Sequence, residues 1–295
     1  MLPLFDFVLN LAGLLLWLLW RSAGFDPLRR TSASSLVGTL KRAEPRRWKS
    51  WHGPLSLIGL LAARALAYWQ IGPGANWVPK LDLMVVVLAF RPDTFLSALV
   101  FSFLSFGRIL LLFYLWLLML TVLNRGTTDP DPFLKIIRQH LGGVARWPWP
   151  IQLTLPLLAA AALWFGFHPL LIHIGVTNHV RTNGHLLEQA FLVGVGFYFS
   201  LKYLLPVLLV AHLVATYVYF GNSPIWDFIA TTSRKLLTPL RRLPLCYGKC
   251  DFAPLVGAVL LLLLLHWLPN WLLYGLPVLA SRLGWVPKGA AIWPQ

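Results

Sequence analysis

The chain has 295 residues, 58% of them apolar and only 12% charged, with a mean hydropathy of +0.68 and a formal charge of +15. Soluble domains carry about a quarter charged residues, and several apolar stretches here exceed what crosses roughly 30 Å of hydrocarbon. These figures exclude an ordinary water-soluble domain and predict an all-α, polytopic membrane protein.

Six transmembrane helices are predicted, at Leu4–Trp20, Pro54–Trp69, Phe95–Leu123, Ile151–Ile174, Leu186–Phe220 and Phe252–Ala280. The first is expected to be retained. Met1 to Asp6 has no basic n-region and the positive flank follows the apolar run, the reverse of a signal peptide. Leu81 to Phe90 is apolar apart from Asp82 but too short to cross. A re-entrant piece, a buried strand-like segment and a surface helix all fit it. Pro206, Pro269 and Pro277 mark expected kinks, since proline removes a backbone donor inside a helix.

One punctuation recurs three times, at a spacing of about one hundred residues. An apolar span runs into Asp26-Pro27, Asp129-Pro130 or Ser223-Pro224, and a basic segment follows. Pro54-Leu55, Pro156-Leu157 or Pro254-Leu255 then opens the next span. The chain therefore reads as three membrane hairpins, 1–93, 94–185 and 186–295, each with an amphipathic interfacial segment in its elbow. Asp or Ser followed by Pro suits a helix start. After Ser223-Pro224, Ile225, Phe228, Ile229, Leu236, Leu237 and Leu240 alternate with Arg234, Lys235, Arg241 and Arg242. Phe133, Ile136, Ile137, Leu141 and Val144 repeat the pattern beside Lys135 and Arg138, and Leu36, Val37 and Leu40 echo it near Arg29 and Arg30. Such segments fit helices lying in the interface with their basic side chains towards headgroups.

Most lysines and arginines lie in these three elbows, so positive-inside bias puts the elbows in the cytoplasm and both termini on the far side. The same placement favours anionic lipid headgroups over nucleic acid as partners. Trp48, Trp51, Trp147, Trp149 and Trp226 read as one interfacial belt, and Trp69, Trp77, Trp285 and Trp293 as the other. Trp77-Val78-Pro79-Lys80 recurs as Trp285-Val286-Pro287-Lys288.

The third unit carries a resemblance. It reads Ser223-Pro224-Ile225-Trp226, then Leu236-Leu237-Thr238-Pro239-Leu240-Arg241-Arg242, then Asp251-Phe252-Ala253-Pro254. This resembles the YggT family of small integral membrane proteins, over residues 201–267. Ser223 stands for the family's usual Asn, Ser233-Arg234 for a common Glu-Pro pair, and Ala253 for the Ser before proline. A third unit also departs from the usual one or two. The resemblance implies a non-catalytic membrane protein of the bacterial inner membrane, without a cofactor. Bacterial members are linked to osmotic tolerance, cell division and membrane organisation, and plastid relatives to cofactor attachment in the cytochrome b6f complex.

Ionisable groups inside the spans are the candidates for function. Asp6, Arg108 and Lys202 sit at similar distances before the three elbow prolines, so Asp6–Arg108 or Asp6–Lys202 is one expected pair. The alternative is that all three snorkel to the outer interface. Arg64 is expected either to pair with Glu188 or to snorkel towards Trp69, and His212 and His266 to bond neighbouring helices. His168, His173, His179 and His185 are too scattered for a compact zinc motif. Cys246 and Cys250 match no redox motif, and no phosphate loop or hydrolase signature is present. Gly59, Ala62, Ala63, Ala159 to Ala162, Gly194 and Gly196 could allow close helix packing. The expected function is a scaffold or assembly factor for a membrane complex, with a small-ion channel or transporter as the alternative.

Overall fold

The computed structural model describes residues 2–23, 51–72, 74, 78–83, 86–91, 94–126, 132–177, 183–218, 221, 223–238, 246–247, 250–251 and 253–270. Asp26-Pro27, Asp129-Pro130, the first elbow with Arg29 and Arg30, and also Trp77, His179, Arg241, Arg242, Pro277, Trp285 and Trp293 lie outside the described residues.

The elements in chain order are α1 (Leu2–Ala23), α2 (His52–Ile71), β1 (Lys80–Asp82), β2 (Val87–Ala89), α3 (Phe95–Leu123), α4 (Pro132–Leu141), α5 (Trp149–His173), α6 (Asn183–Tyr198), α7 (Leu201–Tyr217), α8 (Pro224–Leu236), β3 (Cys246–Tyr247), β4 (Cys250–Asp251) and α9 (Ala253–Asn270). Among the described residues five helical stretches are long and apolar enough to cross a membrane: Leu4–Ser22, His52–Ile71, Phe95–Leu123, Trp149–His173 and Asn183–Tyr217. They fall where uninterrupted apolar runs predict them. The sixth expected span appears as a shorter apolar helix, Ala253–Leu268 within α9, and residues 271–280 lie outside the described set.

The chain divides into two compact units. One comprises residues 1–81 and 89–110, the other 82–88 and 111–295. The division falls inside α3 and does not coincide with the repeat boundaries expected at 93/94 and 185/186.

In the first unit α1 packs along α2, and Leu57, Leu61 and Phe106 form a small core with Trp17 and Leu110. A Cβ on Gly53 would lie 2.4 Å from Trp20 Cδ1, so glycine is what lets the indole lie on α2. The ambiguous Leu81 to Phe90 stretch is the strand-like alternative. β1 and β2 form a two-stranded sheet, and the Phe90 N–H donates to Pro79 O at 2.9 Å. Leu81 and Phe90 are buried, and the Phe90 ring meets Phe101 at 5.4 Å.

In the second unit α5 packs on α6, and α7 on both α8 and α9. The expected fifth span is not one helix. α6 and α7 are separated at Phe199 and Ser200, where the amides of Phe199, Ser200, Lys202 and Tyr203 donate three residues back rather than four. Pro206 sits inside α7, and the break precedes it by nearly two turns. The proline ring crowds the carbonyl four residues before it and removes that bond, which weakens the helix N-terminal to the proline rather than at it. Ser200 Oγ accepts from Trp116 Nε1 at 3.2 Å and donates to Phe197 O at 2.7 Å, anchoring the break on α3. Pro269 lies in the last turn of α9.

The two amphipathic segments form α4 and α8, with Ser223 at the N-cap and Pro224 opening α8. The Ser223 side chain makes no capping bond, so the helix starts on proline geometry and not on the expected side-chain acceptor. Their apolar faces do not wait for lipid either. Leu134, Ile137 and Leu141 of α4 and Phe228 of α8 pack with Leu118 of α3, and the Phe133 and Phe228 rings stack at 5.8 Å. Polar contacts pin α8 further. Asn124 Nδ2 donates to Thr232 Oγ1 at 2.8 Å, and Ser233 Oγ donates to Leu208 O at 3.0 Å. Replacing Thr232→Val is expected to cost about 1 kcal/mol, since Asn124 keeps its bond to Leu120 O. Faster amide exchange confined to α8 is the measurement that checks it.

Candidate functional site

The polar residues of the first unit gather in one place. Asp6 and Asn10 lie four apart on α1, Arg64 and Tyr68 four apart on α2, and Ser105 faces them from α3. Residues four apart share a helix face, so each helix presents a polar pair on an otherwise apolar surface. α1 and α2 run in opposite directions, with Trp20 against Gly53 at one end and Asp6 against Arg64 towards the other. Asp6 lies four residues after the start of α1 and Arg64 seven before the end of α2, so the two meet at one depth.

Arg64 is the hub. Its Nη2 forms an ion pair with Asp6 Oδ1 and also donates to Ser105 Oγ at 2.8 Å. Its Nη1 donates to Asn10 Oδ1 at 2.8 Å, and its Nε to the Tyr68 hydroxyl at 3.1 Å. These bonds engage four of the five N–H groups a guanidinium carries. Tyr68 in turn donates to Asp6 Oδ1 at 2.7 Å. Asn10 Nδ2 donates to Ser105 Oγ at 3.1 Å and to Asp6 Oδ2 at 3.3 Å. The guanidinium carbon also lies over the Tyr68 and Phe101 rings, 5.4 and 5.7 Å from their centroids, an attraction of cation for aromatic face.

Burial fixes what this arrangement does. The Arg64 side chain is 1% exposed and the Asp6 side chain 24% exposed. An unpaired arginine at mid-membrane costs on the order of 3 kcal/mol on insertion scales, and breaking a buried pair costs about 3–5 kcal/mol. The network therefore ties three helices together with a force that lipid cannot compete for. Ser102 Oγ adds a bond from α3 to Leu61 O at 2.9 Å.

The partners differ from the sequence expectations. Arg64 pairs with Asp6 and not with Glu188, and it does not snorkel. Asp6 is committed to Arg64, not to Arg108 or Lys202. Glu188 Oε2 instead lies 3.5 Å from His185 Nδ1, one turn away on α6. Lys202 Nζ lies over the neighbouring Tyr203 ring at 5.1 Å. Arg108 is partly buried on α3, His212 partly buried on α7, and His266 exposed on α9. Lys135, Arg138 and Arg234 are exposed on α4 and α8, and Lys235 is half-buried. Asn10, Tyr68 and Ser105 went unnoticed in the sequence, although an i, i+4 polar pair on an apolar helix is the signal that marks the first two.

Of the small residues, Gly194 is held in tight contact. A Cβ there would lie 2.9 Å from Leu157 O, whereas Gly59 has open space. The Tyr198 hydroxyl donates to Leu153 O across the same α5–α6 seam. Cys246 and Cys250 fall in a short antiparallel hairpin, with Cys246 opposite Asp251 and Tyr247 opposite Cys250. Among the described residues no three of His, Cys, Asp and Glu gather as a metal-binding set.

Fold and site together define a class: a membrane-embedded, mainly helical protein whose first unit is fastened by a buried ion pair. No family model, no curated protein and no solved structure matches the chain.

Proposed function

We propose that the chain is a non-catalytic membrane scaffold, a YggT-like assembly or stability factor for a membrane protein complex in the bacterial inner membrane. In this reading three hairpins place six spans across the bilayer, with both termini outside the cytoplasm. The basic elbows rest on anionic headgroups. The observation that carries the proposal is the closed polar cluster of the first unit. Asp6, Asn10, Arg64, Tyr68 and Ser105 spend their hydrogen bonds on one another, which suits a structural fastening better than a substrate site. In the second unit, Tyr203, Val207, Val210, Val214 and Tyr217 form one exposed apolar strip along α7, the spacing of a single helix face.

Purification in mild detergent from the native membrane is expected to recover a membrane protein in stoichiometric amount. A chain that emerges alone, as a monomer, contradicts the proposal.

The second reading, a small-ion channel or transporter, draws on the α6–α7 break, since discontinuous helices are common at transport sites. Neutralising Arg108 and Lys202 should then abolish ion flux in liposomes, and unchanged flux removes this reading.

A further inference from the structure

We propose that α5 and α6 form an arm that pivots as one body about two neighbouring joints, Trp147-Pro148 and Phe199-Ser200, with the Trp116–Ser200 hydrogen bond as its latch. The inference goes beyond the scaffold and channel readings and rests on neither.

The helices of the second unit from α5 onwards pack as two groups. α5 and α6 share one seam: a Cβ on Gly194 would lie 2.9 Å from Leu157 O, and the Tyr198 hydroxyl donates to Leu153 O one turn along. α7 packs instead on α8 and α9, through the core of Leu209, Leu237 and Ala258 and through the Ser233 Oγ bond to Leu208 O at 3.0 Å. Among the described residues no packing of comparable extent joins α5 or α6 to α7, α8 or α9. The pairing of Leu157 with Gly194 and of Leu153 with Tyr198 fixes an antiparallel register. It sets the break at Phe199 and Ser200 beside the start of α5, within about two turns of Trp147 and Pro148. Both chain connections from the pair to the rest of the unit therefore lie at one end. The other end carries the connection from α5 to α6.

Each joint interrupts the α-helical bonding and carries a polar fastening. Trp147 and Pro148 are extended, with ψ of 157° and 146°, between the short helical turn Gly142–Arg146 and α5. Gln152 Nε2 bridges that joint by donating to Val144 O and Ala145 O, both at 3.0 Å. At the second joint the Phe199 and Ser200 amides donate to Gly196 O and Phe197 O, and Ser200 Oγ accepts from Trp116 Nε1 at 3.2 Å. Hinges are a few element-terminal residues that absorb a change of φ and ψ, and these two short segments fit that role. Trp116 belongs to α3 and not to the arm, so its bond to Ser200 resists the swing. Leu155 and Tyr198 touch the neighbouring cores from positions close to the joints. Leu192, Val193 and Phe197 of α6 are buried, so the arm slides over packed neighbours and its swing is small. Even about 10° at the joints carries the far end of α5, roughly 30 Å from Leu153, through about 5 Å.

The test uses the full chain in lipid nanodiscs, with Cys246→Ser and Cys250→Ser, and pairs of spin labels read by double electron–electron resonance. His173→Cys with Val214→Cys measures the arm against α7. Ile151→Cys with Leu187→Cys lies within the arm, and Val214→Cys with Trp267→Cys within the α7–α9 group; all these positions are exposed. Trp116→Phe removes the donor of the latch and Ser200→Ala its acceptor. Each is expected to shift or broaden the first distance by about 5 Å, the displacement that a swing of about 10° produces, and to leave the other two unchanged. Thr121→Val, which removes a bond within α3, should leave all three unchanged. A first distance that stays fixed in either latch variant overturns the proposal. So does an equal change in all three pairs, which is general loosening, or an equal shift on Thr121→Val. The scaffold reading stands or falls separately, on co-purification.

Discussion

Asp6→Asn is expected to destabilise the first unit by about 3 kcal/mol, because it strips the counter-charge from an arginine whose side chain is 1% exposed. The estimate takes the low end of the range for broken buried pairs, since Asp6 sits at the partly exposed rim. The neutral amide also loses the acceptor strength that holds Tyr68 Oη and Asn10 Nδ2. Arg64→Met should cost less, because Asp6 already lies at the partly exposed rim and can turn outwards. The double variant Asp6→Leu/Arg64→Met should recover most of the loss, since an apolar pair of similar bulk demands no desolvation of charge. Thermal unfolding in detergent across wild type, Asp6→Leu, Arg64→Met and the double variant gives the coupling energy of the pair. Additive single effects would show that the pair contributes nothing as a pair.

Gly194→Ala is expected to force α5 and α6 apart. The added Cβ would meet the Leu157 carbonyl oxygen at 2.9 Å and Leu157 Cγ at 3.0 Å. The side chain can turn away, but the carbonyl is part of α5, so the backbone has to shift. Overpacking of this kind costs about 1–3 kcal/mol. Gly166→Ala on α5 is the matched control: nothing lies within 4 Å of its Cβ. Helix propensity alone then favours alanine by about 0.5–1 kcal/mol. The two substitutions should thus move the unfolding midpoint in opposite directions.

Membrane spans are legible in this sequence because lipid imposes one requirement, length without charge, that composition displays directly. Phe95–Leu123 matches the expected span end to end, and Trp149–His173 differs by two residues at one end and one at the other. What the sequence hides is interhelix register. Asp6 and Arg64 are each visible as intramembrane charges, but their pairing is not, because sequence position alone does not say which helices are neighbours. Arg64 belongs to a span of opposite direction, and its level has to be counted back from the far end of α2. The break at Phe199 and Ser200 was hidden for a related reason. Pro206 announces a disturbance, but its clash is with the preceding turn, and the local anchor is Trp116, which sequence distance conceals. α4 and α8 were readable as amphipathic helices, whereas their mutual stacking through Phe133 and Phe228 was not. Their apolar faces satisfy protein and lipid equally well on paper.

The most direct test of the account is the sidedness of the three basic elbows. Single cysteines are introduced as Ser34→Cys, Gln139→Cys and Thr238→Cys in a chain with Cys246→Ser and Cys250→Ser, and labelled with a membrane-impermeant maleimide in intact and in opened cells. The account predicts that all three stay unlabelled until the cytoplasm is exposed. Labelling of any one of them from outside, while another remains protected, contradicts it.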